Sequence, residues 1–147
     1  MVRAFFSMPC LLLMVVGCAA PGSPGQPAAS SPTPEAPARV VLADVVEGVF
    51  APSCSTRSCH GAQGAQGNLV LVGDDLRERL VDREPWSLEA SGRGWRLVVP
   101  GEPDRSWLLI KMEGPPVGGG GRMPVGRAPD PSQLALVRAW IAQGALP

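Results

Sequence analysis

The 147-residue chain has no tyrosine, a single histidine (His60) and a single lysine (Lys111) among 13 basic side chains. Its 13 acidic residues balance the basic ones, and the arginines that supply nearly all the positive charge are scattered. Counterion release from a phosphate backbone needs clustered Lys and Arg, so nucleic acid is not expected as a partner. With one histidine, a serine, histidine and acid arrangement is impossible once His60 has another task. No glycine pattern that would cradle phosphates follows a strand. Hydrolases and nucleotide-binding proteins drop out on those grounds. A long apolar run is also missing, since Ala4 to Val16 falls short of the ~20 residues that a membrane-spanning helix needs. The near-absence of lysine reads as a genome-wide preference for arginine.

What is plentiful is glycine and proline, 18 and 17 residues, too many for a helical bundle. Short elements between long irregular loops are the expectation. The N-terminus, Met1-Val2-Arg3 followed by the apolar stretch to Val16, has the form of a signal peptide. It ends Val15-Val16-Gly17-Cys18, which resembles a bacterial lipobox and implies a signal over 1–17 with lipidation at Cys18. The simpler alternative is ordinary secretory cleavage at Ala19 or Ala20. Acyl chains on Cys18 would hold the chain on a membrane. Alanine after that cysteine implies an outer-membrane lipoprotein of the cell envelope, facing the periplasm or the cell surface. Residues 18–38, rich in Pro, Ala and Ser, cannot build a core and read as a disordered, lipidated tether of polyproline II character. The folded domain is then 39–147, expected to be a monomer. Loss of Arg3 with the signal leaves 12 basic against 13 acidic residues.

Periodicity predicts three helices in that domain. Val41, Val45 and Val49, with Leu42, Val46 and Phe50 beside them, form one apolar stripe that Pro52 is expected to end. A short helix near Asp74, capped by that carboxylate, carries Leu76 and Leu80. The last has Asp130 at the N-cap, Pro131 at the first position, Gln133 completing a capping box, then Leu134, Val137, Trp140 and Ile141 on one face and Gly144 at the stop. Pro103 to Met112 reads as a further short helix presenting Trp107, Leu108 and Met112. Gly114 to Gly121 is a glycine loop ending at Arg122-Met123-Pro124. Asn68 to Val72 and Leu97 to Val99 are brief apolar runs able to pair.

Cys10 leaves with the signal and Cys18 is assigned to lipid, so the domain holds two cysteines, followed at once by the histidine: Cys54-Ser-Thr-Arg-Ser-Cys59-His60-Gly61. This string resembles the haem attachment site of c-type cytochromes, where two thiols bond the haem covalently and the adjacent histidine binds iron. The usual spacing between the cysteines is two residues, and here it is four, so the loop must bulge. A second axial ligand would come from Met123 or Met112. Met123 stands beside Pro124 at the end of a bendable loop, whereas Met112 lies on a helical stripe where core packing explains it.

Phe50-Ala-Pro-Ser-Cys54, Cys59-His60-Gly61, Gly67-Asn68-Leu69-Val70-Leu71, Val99-Pro100-Gly101-Glu102-Pro103-Asp104-Arg105-Ser106-Trp107-Leu108, Arg122-Met123-Pro124 and Val137-Arg138-Ala139-Trp140-Ile141 together resemble planctomycete-type and myxobacterial cytochrome c-like lipoprotein domains. The resemblance implies a mainly α fold: a small cytochrome c-like helical domain with long Gly/Pro-rich loops. It implies haem c as cofactor, with Cys54 and Cys59 as covalent attachment points and His60 and Met123 as axial ligands of the haem iron. Arg122, beside Met123, is the candidate partner of a haem propionate. The implied activity is single-electron transfer between redox protein partners, a carrier and not an enzyme.

Other readings of the same residues compete. Two exported thiols can close a disulfide, giving a haem-free, stapled surface lipoprotein that acts as an interaction module. A loop this short gains about 2 kcal/mol or less from closure, and the disulfide leaves His60 without a role. A closed zinc site wants four ligands and the cluster offers three. A thiol oxidoreductase would place its cysteines two residues apart. Trp107 and Trp140 read as core, and Arg77, Arg79 and Arg83 as a solvated helix face, the alternative for them being to dock a redox partner or pair a haem propionate.

Overall fold

The computed structural model describes residues 38–116 and 118–147. The signal over 1–17, Cys18 and all but the last residue of the 18–38 tether lie outside the described residues. Among the described residues the architecture is helical, with no named strand and two isolated parallel bridges, Val81 with Val98 and Arg96 with Ser106. No helix among them is long and apolar enough to cross a membrane.

Helix α1 (Leu42–Val45) opens with the Val41 amide donating to the Asp44 carboxylate at 2.8 Å, then widens without a break into a π-helical segment, Val46–Cys54. Val45, Val49 and Phe50 are buried and Leu42 and Val46 pack at the rim of the core, as the apolar stripe predicts. Pro52 does not end this helix. An α-helical register would require a Pro52 amide to meet the Gly48 carbonyl, and proline has none. The wider coil drops that bond, the Gly48 oxygen accepts from Gln133 Nε2 at 3.0 Å instead, and the Ser55 amide closes the end on Phe50 O at 2.8 Å. The helix therefore reaches Cys54.

Helix α2 (Leu76–Leu80) buries Leu76 and Leu80. The Asp74 cap is not formed. Asp75 is the N-cap residue, its carboxylate is held by Arg79 at 2.9 Å, and the Leu76 amide goes to the Gly73 carbonyl. Helix α3 (Leu88–Gly92) has no counterpart in the periodicity, because it buries only Ala90; its start is set by Ser87, whose Oγ accepts from the Ala90 amide. A 3₁₀ turn at Pro103–Arg105 leads into helix α4 (Trp107–Glu113), which buries Trp107, Leu108 and Met112 as expected, and Leu109 as well. Helix α5 (Pro131–Ala142) has Asp130 as N-cap, accepting from the Ser132 amide, and buries Val137, Trp140 and Ile141. The capping box does not form, since Gln133 turns away to Gly48 O and Ser53 Oγ. Gly144, at φ +96°, stops the helix as expected.

Helix α5 is the hub, packing on α1, on the π-helical segment and on α4. Trp140 is wholly buried and its Nε1–H donates to Leu146 O at 2.8 Å, the same carbonyl that receives the Leu42 amide. The C-terminal residues thus close over the start of α1. Arg138 joins Asp104 and Glu113 at 2.8 and 2.6 Å, but all three side chains are well exposed, so the pairs add little to stability. The two apolar runs do not pair with each other. Val98 bridges Val81, and Leu71 donates its amide to His60 O at 2.7 Å, which draws the 69–71 run onto the cysteine loop.

Candidate functional site

The chain leaves the π-helical segment at Cys54 and turns sharply. Amides of Cys59 and Gly61 both donate to Thr56 O at 3.0 Å, and the His60 amide returns to Cys54 O at 3.1 Å. The four residues between the cysteines bulge outward in this way while Cys54 and His60 stay adjacent. Close backbone approach makes the turn possible. A Cβ on Gly64 would stand 2.5 Å from Cys59 O and 2.6 Å from Arg57 O, so only glycine lets the following loop pass under it.

His60 is half-buried, and its Nδ1 lies 3.0 Å from Leu69 O. A carbonyl oxygen only accepts, so Nδ1 carries a proton, and in the neutral imidazole this tautomer leaves the lone pair on Nε2. The carbonyl-bearing segment is itself anchored. Leu71 N bonds His60 O, Ser55 Oγ donates to Leu71 O at 2.9 Å, and the Arg79 guanidinium donates to Val70 O at 2.6 Å and to Val72 O. Arg79 and Arg77, which donates to Ala145 O at 2.9 Å, therefore do not form the solvated face that their spacing suggests. Their guanidinium forks reach carbonyls that the loops leave unpaired.

Cys54 and His60 border a cavity of about 840 Å³ whose walls also include Leu69, Leu71, Leu97, Leu108, Met112 and Met123. This is the size and apolar character of a cofactor pocket. Both candidate methionines reach it. Met112 is 3% exposed and belongs to the core as well as the wall, whereas Met123 is half-buried on the loop, its amide donating to Lys111 O at 2.8 Å. At the mouth, Trp86 and Leu88 are 74% and 89% exposed although both line the cavity. Nothing in the periodicity marks these two.

The structure does not bring every predicted residue to this place. Cys59 is half-buried on the turn and absent from the cavity lining, and Arg122 is exposed and absent from it too. The charged groups on the wall are Glu84 and Lys111. Lys111 donates to Gly119 O at 3.0 Å and to Gly121 O, and its Nζ stands 5.7 Å from the centre of the Trp107 ring. Burial lowers its pKa. Trp107 in turn stacks on Trp95, with ring centres 5.3 Å apart, and the Arg93 guanidinium lies over the Trp95 ring, 5.3 Å from its centre.

Cys54 and Cys59 are both free thiols. Burial pushes the Cys54 thiol up to about 11, with the Arg127 guanidinium opposing that shift and Cys59 adding to it. At neutral pH Cys54 is thus a protonated thiol and a weak nucleophile, unlike the low-pKa thiolate of an oxidoreductase. Among the described residues no group of three or more His, Cys, Asp and Glu side chains is placed to hold a metal ion. The lining residues that carry imidazole or sulfur ligand atoms are instead His60, Cys54, Met112 and Met123, and thioethers suit a haem iron or copper better than zinc. Compared with protein-family models, curated proteins and solved structures, the chain matches none of them.

Proposed function

We propose that the domain is a monohaem c-type cytochrome, anchored to the cell envelope by lipid on Cys18, that carries single electrons between redox protein partners in the periplasm or at the outer membrane. One observation carries the reading. The only histidine in the chain spends Nδ1–H on Leu69 O and borders, with Cys54 and Met123, a mostly apolar cavity. That hydrogen bond is the outer partner a metal-binding imidazole uses, fixing the tautomer and raising the basicity of the other nitrogen.

The residues present fit the group. Cys54 and Cys59 would hold haem covalently and His60 Nε2 and Met123 Sδ would ligate its iron, with Met112 the second thioether lining the same cavity. Cys59, off the lining, would have to swing inward on its bulged loop. A bound haem iron supplies reversible one-electron chemistry, and a thioether ligand places its potential high. The rest belongs to the polypeptide. Leu69, Leu71, Leu97 and Leu108 exclude water, the Leu69 carbonyl orients His60, and Met123 as a second ligand would deny small molecules access to the iron.

The test is a visible absorption spectrum of the native membrane fraction, oxidised and then reduced with dithionite, and a denaturing gel of the purified protein stained for covalent haem. The expected result is a sharp reduced alpha band and haem that survives denaturation. No Soret band, and an intact mass equal to lipid plus polypeptide less two hydrogens, would overturn the reading in favour of the disulfide-stapled interaction module.

A further inference from the structure

We infer that Lys111 is the positioning residue of the Met123 loop: its ammonium ties down Gly119 and Gly121, its main chain ties down Met123, and it sets one positive charge in the cavity wall. The inference rests on the electron-carrier reading for its meaning, but its geometry does not depend on that reading.

Three contacts from one residue converge on five residues of loop. Nζ donates to Gly119 O at 3.0 Å and to Gly121 O, and the Lys111 carbonyl accepts the Met123 amide at 2.8 Å. Gly120 lies between the two carbonyls at φ +75°, which turns both toward the ammonium, and a Cβ on it would stand 3.5 Å from Nζ. The loop is pressed down on its other side as well. A Cβ on Gly119 would come within 2.7 Å of Pro115 Cβ and 2.9 Å of the Trp107 ring, so the backbone lies against both. Without the ammonium, the Gly119 and Gly121 carbonyls would lose their shared donor, and these glycines, which pay the largest backbone entropy of any residue, would be held less firmly.

The identity of the residue supports the role. The other twelve of the 13 Lys and Arg side chains are all arginine. Two carbonyls flanking one glycine enclose a compact ammonium closely, and a planar guanidinium with its donors in a fixed fork can still donate to them, with a looser fit. The Lys111 ammonium stands 5.7 Å from the centre of the Trp107 ring, and methionine can replace the apolar stem of the lysine while removing the charge and the donors.

The experiment compares wild type, Lys111→Met and Lys111→Arg by hydrogen exchange, each as full-length haem-free and haem-loaded chain. In Lys111→Met the Met123 amide should exchange about tenfold faster, with the interior amides of α5 unchanged. Lys111→Arg, which keeps charge and donors, should restore part of that protection. In the haem-loaded protein, Lys111→Met should keep covalent haem, yet lose the sulfur-to-iron charge-transfer band at lower denaturant than wild type, and its reduction potential should fall because a positive charge favours the reduced iron. Unchanged Met123 exchange in Lys111→Met, or no recovery in Lys111→Arg, would overturn the clamp. If exchange rises as expected but wild type carries no covalent haem, the clamp stands and the electron-carrier reading falls.

Discussion

The Nδ1 of His60 is held 3.0 Å from the carbonyl oxygen of Leu69, and both residues sit at the wall of one cavity. The imidazole is therefore oriented before any ligand arrives. His60→Ala should abolish the Soret band and the haem stain of the native protein. In the haem-free chain it should cost only about 1 kcal/mol, the loss of one hydrogen bond to a half-buried carbonyl. Denaturant melts and spectra of the two forms check this. A His60→Ala protein with full haem absorbance would remove His60 as ligand.

Gln133 Nε2 donates to the Gly48 carbonyl, the acceptor that an α-helical register would pair with the amide of residue 52. Gln133→Ala should destabilise the domain by about 1 kcal/mol. Pro52→Ala gives Gly48 a competing amide, so the cost of Gln133→Ala should shrink in that background. A double-mutant cycle in urea measures the coupling, and strict additivity would show that the two residues do not share the carbonyl.

Gly64 and Gly67 should respond differently to alanine. At Gly64 the new Cβ would meet the Cys59 and Arg57 carbonyls at 2.5 and 2.6 Å, and the backbone cannot yield without moving the turn that carries His60. Gly64→Ala should cost more than about 2 kcal/mol and impair haem loading. At Gly67 space is open and only the φ of +61° opposes a side chain, so alanine there should cost about 1 kcal/mol and leave loading intact. Thermal melts and haem-to-protein absorbance ratios separate the two.

Two hydrogen bonds from Ser132, one from its hydroxyl and one from its amide, hold the Asp130 carboxyl below the ordinary aspartate range. A carboxyl depressed in the folded state contributes stability above its unfolded pKa and loses it as pH falls through the folded value. The difference in Tm between wild type and Asp130→Ala should be widest near neutrality and narrow in acid. A difference that holds constant down to about pH 2 would show that the ionised cap contributes nothing.

Much of the scaffold can be read from the residues. Val45, Val49 and Phe50 at helical spacing, and Asp130-Pro131 before Leu134, Val137, Trp140 and Ile141, state both the existence and the buried face of the terminal helices, because period and caps are local properties. Leu76 with Leu80, and Trp107 with Leu108 and Met112, are legible for the same reason. Where partners come from afar, the reading fails. Pro52 looks like a stop until Gln133, far along the chain, supplies what proline removes. Gln133 looks like half of a capping box and Arg79 like a solvent-facing charge, yet carbonyls of other segments claim both, and Asp74 looks like a cap although the helix starts one residue later, at Asp75.

By itself the sequence determined the helical character of the domain, the cysteine and histidine cluster at the end of its first helix, and the two methionines available to face it. These follow from spacing and residue chemistry alone. Only the tertiary structure decided that Cys54, His60, Met112 and Met123 share a cavity while Cys59 and Arg122 stand off its lining, and that Leu69 orients the histidine and Lys111 holds the loop. The physical reason is that glycine-rich loops carry no periodicity to announce their path. Their course is set by backbone carbonyls seeking donors, and Arg79, Gln133 and Lys111 supply those donors only once the helices have brought them near.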